Sequence, residues 1–180
     1  MRVTHTSLVD VLLMTPSIYN DARGHFFESF NQQEFHQQVS GVDFVQDNQS
    51  RSVKNVLRGL HYQIIQPQGK LVSVLHGEIY DVVVDLRRSS AQFGQWTANI
   101  LSAENRQQIW VPPGFAHGFL VMSEYADVFY KTTDFYSPAG ERSICWNDLQ
   151  LAINWPNTTQ IILSEKDQRA LPFSAAEYYD

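Results

Sequence analysis

Two side chains that could accept a proton or bind an anion lie within one short apolar segment, Val56 to Gln63. His61 titrates near neutral pH, so its imidazole can take a proton as a general base. Arg58 carries a permanent charge, and its planar set of donors suits a phosphate. In a regular strand these two side chains point to opposite faces, so they share a site only if the strand bulges at Gly59. A histidine in a strand is more often structural, and this segment alone leaves both interpretations open.

Three further residues have a functional and a structural interpretation. Lys70 follows the turn Pro67-Gln68-Gly69 and is either a solvated lysine at the start of a strand or a cation beside a ligand. Tyr130 lies inside a strand segment, where tyrosines usually pack with the hydroxyl at the rim. Asp167 follows Ser164 with the spacing of a capping box. Its carboxylate either caps a short helix or orients a histidine.

The segment from Pro112 to Phe119 predicts a rigid turn and then a strand that carries His117. Its pattern Pro-x-Gly-x-x-His resembles the second motif of the cupin superfamily. Metal-binding cupins supply a His-x-His pair from an earlier segment, but the corresponding stretch here is His61-Tyr62-Gln63. A metal centre of that kind needs several imidazoles converging on one ion, so we expect no metal. A metal-dependent oxygenase is disfavoured for the same reason, and His117 is interpreted as a polar wall residue.

Charge and cysteine content restrict the partners. The chain has 180 residues and a formal net charge of −6, so we expect it to bind neither nucleic acid nor a membrane surface. The stretch from Arg51 to Lys70 nevertheless holds four basic residues and no acidic one, which favours a small anionic ligand. Cys145 is the only cysteine, and the sequence lacks an apolar signal segment or a membrane-spanning run. We therefore expect a cytoplasmic protein.

The dominant pattern is an alternation of apolar and polar residues in short segments between turn residues. This pattern predicts an all-β sandwich or barrel in one domain, residues 1–180. The predicted strands are 2–13, 24–30, 43–50, 56–63, 70–76, 78–86, 96–102, 107–111, 117–123, 126–136 and 160–163. Short helices are predicted after Asn31, with Glu34 reaching back to the N-cap, and after Ser164. We expect the tail, residues 171–180, to be frayed.

Ten stretches, in order along most of the chain, resemble the dTDP-4-dehydrorhamnose 3,5-epimerase family. They are 21–28, 46–50, 56–63, 68–74, 77–85, 101–105, 114–119, 130–131, 146–148 and 163–167. Each match alone is weak, but the ordered set is specific. His25 replaces a usual aromatic residue and Pro113 a usual acidic one, and neither is a proposed catalytic group.

The resemblance implies a fold and a reaction. The fold is a cupin-type double-stranded β-helix, a jelly-roll barrel with a few short helices. The reaction inverts C3 and C5 of dTDP-4-dehydro-6-deoxy-D-glucose to give dTDP-4-dehydro-L-rhamnose, for cell-surface polysaccharides such as lipopolysaccharide. Both centres adjoin the C4 ketone, so proton removal and return from the opposite face require no cofactor. The alternatives are an epimerase of one centre, a 3,4-ketoisomerase, and a non-catalytic cupin that binds a sugar nucleotide.

The resemblance also implies a role for each candidate residue. His61 is expected to be the base, Asp167 its hydrogen-bond partner, Lys70 the group that stabilises the enolate, and Tyr130 the acid. Arg23 and Arg58 are expected to bind the diphosphate. Further contacts with the nucleotide or sugar are expected from Glu28, Gln46, Asp47, Asn48, His117, Glu141 and Lys166. In the family, the segment holding Arg23 and Glu28 reaches the partner subunit's site, which implies a homodimer.

Overall fold

Thirteen short strands account for most of the regular secondary structure in the computed structural model, which describes residues 1–180. The strands are β1 (Arg2–His5), β2 (Leu12–Thr15), β3 (Tyr19–Asp21), β4 (Gly24–Phe26), β5 (Gln46–Val53), β6 (Leu57–Gln63), β7 (Lys70–His76), β8 (Glu78–Asp85), β9 (Trp96–Ser102), β10 (Gln108–Val111), β11 (Phe115–Val121), β12 (Tyr125–Thr132) and β13 (Glu141–Ser143). The helices are α1 (Gln32–Gln38), α2 (Glu165–Gln168) and two 3-10 turns, Thr158–Gln160 and Phe173–Ala175. No helix has the length and apolarity needed to cross a membrane.

The strands form two antiparallel sheets that pack face to face. One has the order β1-β2-β10-β7-β12-β5 and the other β13-β6-β11-β8-β9, while β3 and β4 form a separate hairpin. Alternation places Val72 and Val128 of the first sheet against Val83 and Phe119 of the second, in one buried cluster. This arrangement confirms the predicted all-β jelly roll.

Each outer face is covered by a different part of the chain. Phe35 of α1 packs on the six-stranded sheet, and Trp155 and Phe173 pack on the five-stranded sheet. The tail is therefore packed, and the expectation that 171–180 is frayed is wrong. Its backbone is tied to the barrel, because the Tyr62 hydroxyl donates to the Glu177 carbonyl at 2.7 Å.

The predicted strand 2–13 is two strands joined by a turn. The Thr6 hydroxyl donates to the carbonyls of Leu8 and Val11, which closes the turn between β1 and β2. Predicted strands 24–30 and 126–136 end early, at Phe26 and Thr132. The segment 160–163 is not a strand, because a 3-10 turn precedes it and it makes only one isolated bridge with the barrel. Sequence periodicity indicates where strands lie but not where a local turn interrupts them.

The predicted helix start at Asn31 is confirmed. The Asn31 side chain accepts hydrogen bonds from the backbone N–H groups of Gln33 and Glu34, as an N-cap does. The Glu34 carboxylate lies 3.6 Å from the amino group of Met1 rather than reaching back to the cap. The partner of Glu34 is therefore the amino group of Met1 and not the backbone N–H of Asn31 that a capping box would use.

Candidate active site

A cavity of about 150 Å³ lies between the two sheets and is lined by five of the polar side chains that the sequence singled out. The six-stranded sheet contributes Lys70 from β7 and Tyr130 from β12. The five-stranded sheet contributes Arg58 and His61 from β6 and His117 from β11. Residues that are far apart in sequence therefore line one site from opposite walls.

A bulge in β6 brings Arg58 and His61 to the same cavity. His61 pairs with His117 and Arg58 with Phe119, so β6 uses one more residue than β11 over this interval. Gly59 lies inside the bulge with φ of +123°, a conformation that other residues rarely adopt. A Cβ at this position would lie 2.5 Å from the Cα of Gly118. The strand therefore bulges at Gly59, which is what the sequence required for Arg58 and His61 to share a site.

The His61 ring is held by Asp167, whose Oδ1 lies 2.5 Å from His61 Nε2. Asp167 also receives the Ser164 hydroxyl at 2.9 Å, and its backbone N–H donates to that hydroxyl. Ser164 therefore caps α2 as predicted, whereas the Asp167 carboxylate accepts the Ser164 hydroxyl instead of making the capping-box contact and orients a histidine. Because Asp167 occupies Nε2, Nδ1 is the nitrogen available to accept a proton.

The charge states of this pair favour a neutral base at neutral pH. Burial lowers the pKa of His61 more than the neighbouring Asp167 raises it. Burial opposes the charge of Asp167, yet hydrogen bonds from His61 and Ser164 hold the pKa of its carboxyl below the ordinary value. The result is an imidazole with a free lone pair next to a fixed carboxylate, which is suited to proton abstraction.

Burial shifts the pKa values of Lys70 and Tyr130 in opposite directions. Burial lowers the pKa of Lys70 to about 8, although the charges of Glu141 and Asp81 oppose the shift. Burial raises the pKa of Tyr130, with Arg58 acting in the opposite direction. At neutral pH both groups carry their protons, so both can donate to developing negative charge.

A second histidine–carboxylate pair lies beneath the cavity and was not predicted from the sequence. Asp81 is fully buried on β8, and its Oδ2 lies 2.7 Å from His117 Nε2. The other oxygen, Oδ1, is buried with no hydrogen-bond partner. The acidic residue in the middle of the strand Glu78–Asp85 was the available signal, because Asp81 lies among apolar neighbours and a buried carboxylate requires a partner.

Strand alternation separates the three predicted contacts on β5. The side chains of Gln46 and Asn48 point inward and are joined by a hydrogen bond of 2.9 Å. The side chain of Asp47 points outward and receives Lys131 Nζ at 2.8 Å. Gln46 and Asn48 therefore lie on the inward face of β5, whereas the Asp47 carboxylate does not.

Glu141 and Lys166 form an ion pair, and Glu141 also receives the Tyr136 hydroxyl at 2.9 Å. Burial opposes the charge of Glu141, but the hydrogen bonds from Lys166 and Tyr136 lower its pKa. Its negative charge acts on both His61 and Lys70. Glu141 and Lys166 line a separate pocket rather than this cavity, and Tyr136, which the sequence did not single out, holds Glu141 there.

The chain that carries this cavity matches a known family over most of its length. The family model for dTDP-4-dehydrorhamnose 3,5-epimerase matches residues 5–175. The chain belongs to this family. A dTDP-4-dehydrorhamnose 3,5-epimerase from Pseudomonas aeruginosa is 54% identical over 180 residues, with 99% of each chain covered.

Solved structures agree with this assignment. The crystal structure of the dTDP-6-deoxy-D-glucose-3,5-epimerase from Legionella pneumophila, in complex with dTDP-4-keto-L-rhamnose, matches with a TM-score of 0.95 at 50% identity. That match covers 98% of this chain and 94% of the other. ChmJ, a 3′-monoepimerase from Streptomyces bikiniensis in complex with dTDP-quinovose, matches with a TM-score of 0.88 at 33% identity, covering 93% and 86%.

Two residues that the epimerase family resemblance assigned to the ligand lie away from the cavity of their own chain. Arg23 follows β3 in the hairpin, with its side chain 91% exposed and paired with Asp21 at 2.6 Å. Glu28 is exposed beyond β4 and lines a different pocket. Across residues 1–180, no three His, Cys, Asp or Glu side chains are grouped so that they could hold a metal ion.

Proposed function

We propose that this epimerase inverts C3 and C5 of dTDP-4-dehydro-6-deoxy-D-glucose and releases dTDP-4-dehydro-L-rhamnose. The main support for this proposal is that His61 and Tyr130 line the same cavity from opposite sheets. Inversion requires that a proton leave one face of the carbon and that another arrive on the opposite face. A base on one wall and an acid on the other meet that requirement.

The chemistry follows from the C4 ketone. Nδ1 of His61 takes the proton from the carbon next to the ketone, and the electron pair of the C–H bond moves into an enolate whose charge lies on the C4 oxygen. Lys70 donates a hydrogen bond to that oxygen, an interaction that is strongest in the transition state. Tyr130 then delivers its proton to the opposite face. Proton exchange with solvent then returns His61 to its neutral form and Tyr130 to its protonated form, after which the same steps serve the second centre. No electron leaves the substrate, so no redox cofactor is needed.

We assign the remaining cavity residues to binding. The Arg58 guanidinium is suited to the diphosphate because its planar donors match phosphate oxygens. The charged and polar groups around it are proposed to contact the nucleotide or the sugar. They are Gln46, Asn48, His117, Glu141 and Lys166, whereas the outward-facing Asp47 carboxylate, which pairs with Lys131, is not assigned to the ligand.

The decisive experiment is proton NMR of the reaction in deuterium oxide. We expect deuterium at both C3 and C5 and a product with the L-rhamno configuration. Deuterium at one centre alone would identify an epimerase of one centre, as ChmJ is named. Movement of the carbonyl to C3 would identify a ketoisomerase, and dTDP binding without exchange would identify a non-catalytic binder.

A bell-shaped pH dependence of kcat/KM is expected, because two groups must hold opposite protonation states. His61 must be neutral, so activity falls as the pH decreases through its lowered pKa, below the ordinary range for histidine. Lys70 must be protonated, so activity falls as the pH rises through about 8. Tyr130 keeps its proton in that range, since its pKa is raised.

The profile is measured in steady state with wild type and with Lys54→Gln, which removes an exposed lysine outside the cavity. The two proteins should share the same alkaline limb. Activity that continues to increase far above pH 8 contradicts the role of protonated Lys70.

We further propose that the enzyme works as a homodimer in which Arg23 and Glu28 complete the partner's site. The hairpin β3–β4 pairs with no other strand, and Phe26 at its end is 69% exposed. Beside it, a groove of about 530 Å³ on the outer face of the six-stranded sheet exposes apolar side chains such as Phe27 and Phe129. Such a groove is typical of a surface that meets another protein.

Mixed dimers test the shared site. Arg23→Ala and His61→Ala enzymes are each expected to be nearly inactive. In a mixed dimer, one site keeps His61 from one subunit and Arg23 from the other. Co-refolding equal amounts should therefore restore about a quarter of wild-type activity, because half of the dimers are mixed and each has one intact site. If the mixture shows only the mean of its two components, Arg23 does not act across the interface.

We place the reaction in the cytoplasm and its product in the supply of rhamnose for cell-surface polysaccharide. The single free cysteine is typical of a reducing compartment and supports this placement.

A further inference from the structure

A hydrogen bond at the cavity joins the two sheets through Ser52 and Arg58. The Nε–H of Arg58 donates to the Ser52 hydroxyl oxygen at 2.9 Å. Ser52 lies on β5, at the edge of the six-stranded sheet, and is only 5% exposed. Arg58 lies on β6 of the other sheet and is exposed towards the cavity. A buried hydroxyl of one sheet therefore anchors a cation of the other sheet at the cavity.

The anchor differs from those of other arginines in the chain. Arg23, Arg51, Arg87 and Arg142 each pair with a carboxylate. A carboxylate neutralises much of the charge that it holds, whereas a serine hydroxyl fixes the guanidinium and leaves its full charge to attract an anion. A neutral anchor is therefore suited to an arginine that must bind a charged ligand.

We propose that Ser52 is a positioning residue for substrate binding, because it fixes Arg58 for the diphosphate. This inference rests on the proposed function, in which Arg58 binds the diphosphate. With Nε engaged by Ser52, the two terminal nitrogens remain as a fork that meets two phosphate oxygens end-on. Without the anchor the arginine side chain has many rotamers to lose on binding, and the affinity for the diphosphate falls.

The charge of Arg58 also reaches the acid of the reaction. Arg58 and Tyr130 line the same cavity, and the charge of Arg58 opposes the rise in the pKa of Tyr130. The anchor nevertheless touches none of the reacting groups. We therefore expect its loss to change the binding of the nucleotide far more than the chemical steps.

The test compares Ser52→Ala with Ser52→Thr, which keeps the hydroxyl. Calorimetry should show that Ser52→Ala raises the Kd for dTDP about tenfold, equivalent to about 1.4 kcal/mol, while thymidine binding is unchanged. KM for the substrate should rise similarly, with kcat within about twofold of wild type. Ser52→Thr should restore tight dTDP binding. Ser102→Ala removes a buried strand hydroxyl elsewhere and should have no effect on dTDP.

A double-mutant cycle with Arg58→Ala separates the two proposals. If Ser52 acts through Arg58, adding Ser52→Ala to Arg58→Ala weakens dTDP binding no further. If Arg58→Ala itself leaves dTDP binding intact, the diphosphate role of Arg58 is wrong, and the role of Ser52 is wrong with it. If Arg58→Ala weakens binding but Ser52→Ala does not, only the positioning role is overturned. Equal loss of thymidine and dTDP binding in Ser52→Ala also overturns it, since that pattern indicates general damage to the site.

Discussion

Replacing His61 with alanine is expected to abolish epimerisation while the fold is retained. The substitution removes the imidazole that the buried Asp167 carboxylate orients and to which we assign proton abstraction. General-base catalysis typically contributes about 10²–10⁴-fold, so exchange of the C3 and C5 protons should fall by at least that range. The measurement is deuterium incorporation at both carbons, followed by NMR in deuterium oxide.

The matched control is His36→Ala, which removes a histidine on α1, away from the cavity. It should exchange at the wild-type rate. Binding of dTDP and the thermal unfolding midpoint establish that the His61→Ala protein is folded, because neither depends on proton abstraction. Wild-type exchange in a folded His61→Ala protein would show that another group is the base.

Replacing Tyr130 with phenylalanine is expected to separate exchange from inversion. The ring still fills its place between the sheets, but the proton donor on that wall is lost. His61 still removes the substrate proton, and its imidazolium exchanges with solvent and returns a deuteron to the same face. Deuterium should therefore enter the starting sugar with retained configuration, while formation of the inverted product falls by about 10²-fold or more.

The relevant readout is the ratio of inversion to exchange, determined from the same NMR series. Tyr80→Phe is a suitable control, because the Tyr80 hydroxyl donates to the Asn154 carbonyl outside the cavity. That variant should keep the wild-type ratio even if its stability changes. A Tyr130→Phe enzyme that loses both processes equally gives no support to a separate acid on this wall.

The candidate catalytic residues could be identified from the sequence because their polarity differs from that of their neighbours. His61, Lys70 and Tyr130 are polar residues within apolar strand segments, and the alternation of period two is a local property of the backbone. Gly59 could be identified as the position of a bulge because glycine alone tolerates the necessary conformation. The order of these segments along the chain was enough to indicate the family.

Other features depend on contacts between distant residues, and the local pattern does not contain them. The pairing of His61 with Asp167, which was expected only from the family resemblance, spans 106 positions, and the pairing of His117 with Asp81 depends on the register of two strands. The packing of the tail is also a long-range contact, because Phe173 packs against the outer face of the five-stranded sheet.

The sequence by itself determined the alternating strands, the residue types available for proton transfer and the flexibility at Gly59. The tertiary structure decided which of those residues share a cavity and which wall each occupies. It placed the base and the acid on opposite sheets and directed Asp47 away from its neighbours Gln46 and Asn48. The physical reason is that alternation fixes relative faces along one strand, whereas only long-range pairing and sheet packing decide which face becomes the interior.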